Sequence, residues 1–261
     1  MSKEKMKTQE YWIKRMENLS NDEDVALAKT ARAYRHFAKE LDLALAEIYE
    51  EMLEEGGIST ANLFMNNRYE ALKSTLIKLA RVLGEAEENN LALFLNEKYG
   101  EEFMLSVEMI YGNKEHFLPD ATLEAALKNN WSGEMFSERI WKDKSKLVAA
   151  VEEAILDGVA LGISRRELSK ILSKKLQTGY SNAERLLRTE SNYIYNRAHF
   201  DVYQKAGLTK YEFLAEIDSR TSKKCRENNR KEFYLVEAQV GVNYPPLHPN
   251  CRSTVMPVLK K

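Results

Sequence analysis

Cysteine and proline are scarce in this sequence: two of its 261 residues are cysteine and five are proline. Such low cysteine usage favours synthesis in a reducing cytoplasm. Long apolar runs are absent as well, since no stretch reaches the roughly 18 apolar residues that a membrane span requires. The first ten residues are polar and lysine-rich with no apolar run behind them, so we expect no secretory signal. These absences exclude a membrane-spanning protein and argue against a secreted one.

The composition is that of a helical globular protein. Hydrophobic residues make up 44% and charged residues 30% of the chain, which is typical of a soluble, helix-rich fold of one large or two small domains. The net charge of -1 conceals an asymmetry, because residues 181–261 hold 14 Lys+Arg against 9 Asp+Glu. This basic part leaves contact with nucleic acid open, and scattered solvated charge explains it equally well.

Apolar residues at steps of three, four and seven predict several helices in the first half. The first is expected from Tyr11 to Leu53 and is ended by Gly56-Gly57, after which Ser59 or Thr60 caps the next. That second helix is expected to close near Gly84. A third segment covers Leu91–Met104. The first half is therefore predicted to consist of amphipathic helices.

Three further helices are predicted in the second half. One runs from Asp143 to Leu161 and ends at Gly162. Two stretches with capping-box form, Ser164–Glu167 and Ser181–Glu184, each predict a helix start. The first of these helices is expected to end near Gly179 and the second at Gly207.

After Gly207 the spacing of apolar residues changes to every second position. This pattern predicts strands over Tyr211–Ile217, Glu232–Val236 and Thr254–Met256. The predicted fold class is therefore α+β, mostly α, with a long helical region followed by a small domain of helix plus antiparallel sheet. We predict an approximate domain boundary between residues 144 and 145. Residues 1–144 are expected to serve assembly and docking, because they form charged amphipathic helices without site chemistry; the alternative is that they complete one core.

Cys225, His248 and Cys251 are candidate metal ligands. Thiolate and imidazole suit Zn²⁺, which usually takes four ligands, and Asp218 or a water molecule is the candidate for the fourth. The alternatives are that both cysteines are buried thiols, or that they form a disulfide outside the cell. Neither cysteine is accompanied by the signature of a catalytic thiol, so no catalytic residue is assigned.

Charged residues near the apolar face of the last helix need partners if they are buried. We predict a structural network in which Glu190 pairs with Arg220, while Asp218 pairs with Arg188 or with a backbone N–H. A catalytic pair of Glu190 with Asp218 is the alternative, and nothing else in the sequence supplies a substrate pocket for it.

The order of these motifs carries a resemblance. The structural motif residues are Arg188, Glu190, Asn196, Asp218, Arg220, Thr221, Pro246, His248 and Arg252, and Cys225, Phe233 and Cys251 lie among them. Over about residues 145–258 the chain closely resembles the phage head morphogenesis family, the minor head proteins that include the F protein of Mu-like phages. The opening Tyr11-Trp12-x-x-Arg15 also looks like the amino terminus of members from phages of Gram-positive hosts.

The resemblance implies a minor head (capsid) protein of a tailed phage or prophage, associated with the portal and acting in head assembly and in DNA packaging or ejection. It implies the portal protein and other head proteins as partners, with double-stranded DNA as an open one and no membrane. It places the protein in the head interior of the virion, and in the host cytoplasm during assembly, without enzymatic activity.

Two alternatives to this role stay open. One is a metal-dependent hydrolase or nuclease that uses Asp218, Cys225, His248 and Cys251. The other is a host-directed effector, since related domains occur joined to toxin modules; we expect no such module after Lys261. Two departures from the family pattern, Ser222 and Ser253 in place of cysteines, weaken a four-ligand metal site. They imply that any cross-link is the single pair Cys225–Cys251.

Overall fold

Three long helices dominate the computed structural model, which describes residues 8–112 and 120–259. The helices are α1 (Gln9–Glu54), α2 (Thr60–Phe64), α3 (Arg68–Tyr111), α4 (Asp120–Leu127), α5 (Phe136–Ala160), α6 (Arg165–Lys205) and α7 (Lys223–Asn228). The strands are β1 (Lys210–Leu214), β2 (Glu232–Tyr234) and β3 (Thr254–Pro257). Among these residues, none of the helices has a stretch long and apolar enough to cross a membrane.

The predicted fold class is confirmed: long helices precede a small three-stranded antiparallel sheet. The sheet order is β2-β1-β3, so β1 is central. Tyr211 of β1 pairs with Phe233 on one side and with Pro257 on the other. The alternation seen in the sequence therefore marks real strands, although β1 ends at Leu214, three residues short of the predicted end.

The chain divides into two compact units, each built from separate segments. We name the first the motif unit; it consists of the described residues of Met1–Ala26, Leu91–Met135 and Arg185–Lys261. The second, the helical unit, consists of Leu27–Asn90 and Phe136–Glu184. The two units are interleaved along the chain, so they do not test the boundary between residues 144 and 145, which stays a prediction.

Two glycines that were expected to end helices lie inside them. The predicted ends at Gly84 and near Gly179 are wrong, because α3 and α6 continue through these positions, and Ser181–Glu184 consequently caps nothing. A Cβ atom added to Gly84 would lie 2.7 Å from Cζ3 of Trp141, and one added to Gly179 would lie 3.1 Å from Cε1 of Tyr34. In the helical unit these glycines therefore admit aromatic rings against the helix backbone.

The other predicted helix ends are confirmed. Gly162 and Gly207 follow α5 and α6 with φ of +64° and +66°, the left-handed conformation that glycine adopts without steric cost. The capping box before α6 is formed: Ser164 Oγ accepts from the Glu167 N–H at 3.3 Å, and Glu167 accepts from the Ser164 N–H at 3.2 Å. Ser59 caps α2 by accepting from the Asn62 N–H.

The core of the motif unit contains the opening aromatic motif of the chain. Its buried apolar side chains include Trp12, Met109, Tyr203, Tyr211, Leu214, Leu235, Tyr244 and Val255. The guanidinium of Arg15 lies over the rings of Trp12 and Tyr195, at 5.0 and 5.6 Å from their centroids. The first turns of α1 are thus an integral part of the unit that holds the carboxyl-terminal motifs.

Candidate functional site

Two asparagines of α6 hold the start of β3. Nδ2 of Asn192 and Nδ2 of Asn196 donate to the Ser253 carbonyl at 3.0 and 3.2 Å. The Thr254 hydroxyl donates to Oδ1 of Asn196 at 3.1 Å. All four residues are buried. Leaving a buried polar group without its hydrogen-bond partner lowers the stability by about 1–3 kcal/mol. The predicted motif residue Asn196 therefore stabilises the contact between α6 and β3.

Asp218 is the centre of a second polar cluster. Its carboxylate accepts from Nη2 of Arg252 at 2.6 Å and from the Arg220 backbone N–H at 2.8 Å. Nη1 of Arg252 lies 2.7 Å from Oε2 of Glu216, and the Thr221 hydroxyl donates to the Glu216 carbonyl at 2.6 Å. The hydrogen bond from Arg252 holds the pKa of Asp218 well below its usual range. The predicted bond of Asp218 to a backbone N–H is confirmed, and its cationic partner is Arg252.

The predicted pair of Glu190 with Arg220 is wrong. The Arg220 side chain is 74% exposed and its Nε lies 3.3 Å from Asp218. Glu190 is buried and accepts from Nε1 of Trp131 at 2.9 Å. The turn after β1 is closed locally by Asp218, and this keeps the Arg220 side chain in solvent. The alternative of a catalytic Glu190–Asp218 pair gains no support, because the two carboxylates bind different side chains.

Arg188 binds carboxylates near the start of the chain rather than Asp218. Its Nη1 lies 2.9 Å from Glu23 and its Nη2 lies 2.7 Å from Asp24. The Ser191 hydroxyl also donates to Glu23. Burial raises the pKa of Glu23 to about 7. The bonds from Ser191 and Arg188 lower this pKa, but by less than burial raises it. Sequence reasoning missed Glu23, because it is one charged residue among many on a long helix.

Cys225, His248 and Cys251 come together in the motif unit. Sγ of Cys225 lies 3.2 Å from Nε2 of His248 and 3.8 Å from Sγ of Cys251. Both cysteines are free thiols and buried. The three ligand atoms lie within 4.8 Å of one another, and Asp218 is not a member of the group. The prediction that the two cysteines lie close together is confirmed.

Short-range hydrogen bonds place these three side chains. Ser222 caps α7 by accepting from the Cys225 N–H at 3.2 Å, which fixes Cys225 in the first turn of that helix. The Cys251 N–H donates to the His248 carbonyl at 3.2 Å and closes a turn between these two residues. Asn250 has φ of +58°, a left-handed conformation that asparagine tolerates better than most residues. The loop thereby brings His248 and Cys251 to the same side.

The electrostatics of the cluster favour one thiolate. The hydrogen bond with Cys251 lowers the pKa of Cys225 to about 5, and the same bond raises the pKa of Cys251 well above its usual range. The adjoining cavity measures about 20 Å³, which is room for about one water molecule. Pockets for small-molecule substrates are usually some 300 Å³ or more. The cavity is therefore too small for a typical small-molecule substrate.

A second buried polar group was not predicted, although the opening sequence motif contains one of its members, Arg15. The Arg15 guanidinium donates to the Glu102 carboxylate, and both side chains are largely buried. Nδ1 of His199 lies 2.7 Å from Oγ of Ser106. Burial first, and then the charge of Arg15, lowers the pKa of His199 well below its usual value. These residues are far apart in sequence and share no motif.

The helix, sheet and loop that carry the motif contacts lie in a segment that matches a known protein family. Residues 149–256 match the model of a family described as Phage Mu protein F like protein. This match confirms the resemblance predicted from the motifs, and the matched segment contains every motif residue of α6, β1 and the carboxyl-terminal loop. The family consists of structural head proteins. No curated protein and no solved structure matches the chain.

Proposed function

We propose that the chain is a minor head protein of a tailed phage or prophage that binds the portal and acts in head assembly and in DNA packaging or ejection. The match of residues 149–256 to the Phage Mu protein F like family carries this proposal. The geometry supports it, since Asn196, Asp218 and Arg252 bind other parts of the same unit. The protein would lie in the head interior, and in the host cytoplasm during assembly.

We also propose that the protein is not an enzyme. The Asp218 carboxylate is held by Arg252 and by a backbone N–H, so it is poorly placed to act as a general base. The cavity beside Cys225 and His248 has room for about one water molecule. These contacts favour the structural role over a hydrolase or nuclease built on the same residues.

Exposed apolar side chains on α1 and α3 are the proposed docking surface for the portal protein. They are Leu43, Leu53, Ile77 and Val82, all in the helical unit. Large exposed apolar side chains on helices suit burial against another protein. Deleting these helices would not test the idea, because Trp12 and Tyr99 are fully buried and their loss would open the core of the motif unit.

Point substitutions test the docking surface. Leu53→Glu and Ile77→Glu change exposed positions and should leave the fold intact, while co-purification with the tagged portal protein falls at least about tenfold, since a charge at an interface core is strongly disfavoured. Val236→Glu is the matched control, as Val236 is exposed but lies outside α1 and α3. Equal recovery of all three variants with the portal would reject this surface.

The segment from Arg220 to Lys231 is the proposed contact for double-stranded DNA. It contains six Lys or Arg residues against one acidic residue, Glu227, and all six basic residues are exposed. Some of these basic side chains also bind within the protein: Lys224 donates to the Gly241 carbonyl, and Arg230 pairs with Glu212. An exposed basic stretch of this kind binds phosphates without reading sequence.

A further inference from the structure

We propose that Cys225, His248 and Cys251 bind one Zn²⁺ ion per chain, with a water molecule as the fourth ligand. The donor set is two thiols and one imidazole, a soft combination that selects zinc among the common divalent ions. The inference does not depend on the role in the phage head.

The spacing of the sulfur atoms fits a shared ion. Two thiolates bound tetrahedrally at about 2.3 Å from zinc lie roughly 3.8 Å apart, and Sγ of Cys225 lies 3.8 Å from Sγ of Cys251. A disulfide would require about 2.05 Å. The same geometry puts an imidazole nitrogen roughly 3.6 Å from each sulfur, and Nε2 of His248 lies 3.2 Å from Cys225. The third pair, Nε2 of His248 and Sγ of Cys251, lies within 4.8 Å, so a shift of at most about 1 Å completes the arrangement.

The His248 ring is oriented as a metal ligand. Its Nδ1 lies 2.8 Å from the Pro249 carbonyl oxygen. A carbonyl only accepts, so the proton of the neutral ring is on Nδ1 and the lone pair of Nε2 faces Cys225. Metal-bound histidines characteristically donate their other ring N–H to a carbonyl or carboxylate in this way, which fixes the tautomer and the ring.

Water is the remaining ligand. The cavity of about 20 Å³ beside Cys225 and His248 admits about one water molecule. Asp218 is not available, since its carboxylate is bound by Arg252 and by the Arg220 N–H. Zinc binding leaves both sulfurs as thiolates, so the thiol protons that remain in the metal-free protein are released to solvent.

Metal analysis of the reduced full-length protein tests the proposal. The protein is loaded with Zn²⁺, freed of excess by gel filtration and measured by plasma mass spectrometry; we expect about one zinc per chain. Replacement by Co²⁺ should produce thiolate-to-cobalt charge transfer and the intense visible bands of a tetrahedral site. Less than ~0.1 zinc per chain, or a cobalt spectrum without thiolate bands, would overturn the proposal.

Single substitutions identify the ligands. His248→Gln and Cys251→Ser should each weaken zinc binding at least about tenfold. His36→Gln is the control, because the His36 side chain is 59% exposed on α1 and its Nδ1 lies 3.8 Å from Oε1 of Glu40. Circular dichroism checks the fold of each variant, and the wild-type cobalt spectrum decides the matter if Cys251→Ser does not fold. Wild-type zinc affinity in folded His248→Gln would remove histidine from the site.

Discussion

Nη2 of Arg252 lies 2.6 Å from Oδ1 of Asp218, and this bond joins the loop before β3 to the turn after β1. Arg252 binds Glu216 as well, so one guanidinium holds both ends of that turn. Cys225 and Cys251 lie on the two chain segments that this bond connects. The ion pair and the thiol cluster therefore stabilise the same junction.

Acid should weaken the contribution of Asp218 to stability. Its pKa is lowered in the folded protein, so its stabilisation is complete above the usual aspartate pKa of about 4 and is lost as the pH falls below it. Asp218→Asn should lower the melting temperature at pH 7, and the difference from wild type should shrink towards pH 3. Thermal melts from pH 3 to 7 measure it, with Asp157→Asn on the surface of α5 as control. A difference that does not change with pH would contradict this.

Glu23 should act in the opposite direction. Its pKa rises from 4.5 to about 7 on folding, so the folded state holds the proton more tightly and stability falls as the pH rises through this interval. A shift of this size corresponds to about 3 kcal/mol at most. The unfolding free energy of wild type, relative to Glu23→Gln, should fall between pH 5 and 8. Asp24→Asn changes the exposed partner of Arg188 but keeps Glu23, so its unfolding free energy should fall over this interval as that of wild type does.

Glu102→Ala should be strongly destabilising. It would leave the Arg15 guanidinium buried without its carboxylate, and breaking a buried ion pair from one side typically costs 3–5 kcal/mol, so we expect a loss of about that size. Glu85→Ala is the control, since Glu85 pairs with Arg81 on the surface and should change stability by less than about 1 kcal/mol. Urea unfolding measures both variants, and equal small losses would show that the buried pair contributes little.

Binding to double-stranded DNA, if the basic segment mediates it, should depend on salt. The double variant Lys223→Gln with Lys231→Gln removes two exposed charges. Its plot of log affinity against log salt concentration should therefore be less steep than that of wild type, by about 2 in slope. Lys78→Gln with Lys146→Gln removes two exposed lysines of the helical unit and is the matched control. Fluorescence anisotropy with a labelled duplex measures the slopes. Identical slopes for both double variants would reject this segment as the contact.

The sequence was most informative where the determinants are local. Gly162 and Gly207 end helices, and Ser59 and Ser164 cap them, because these effects involve residues within one or two turns. The closeness of Cys225 and Cys251 was also predictable, since the short helix with Cys225 and the loop with Cys251 belong to the same motif region. The fold class followed from the change of period after α6.

The sequence failed where distant residues decide the outcome. Gly179 resembles a helix end, but Tyr34 packs against it across the helical unit. Glu102 and Arg15 are 87 residues apart, and no pattern links them. Arg220 was matched with Glu190 because of their charges, whereas the local bond to Asp218 determines its position.

Protein mass spectrometry of purified phage heads tests whether this chain is a minor head protein. We expect the chain to be recovered with complete heads in a small number of copies, and intact heads to protect it from added protease because it lies inside. Complete heads that lack the protein, while it accumulates unassembled in the host lysate, would contradict the assignment as a minor head protein.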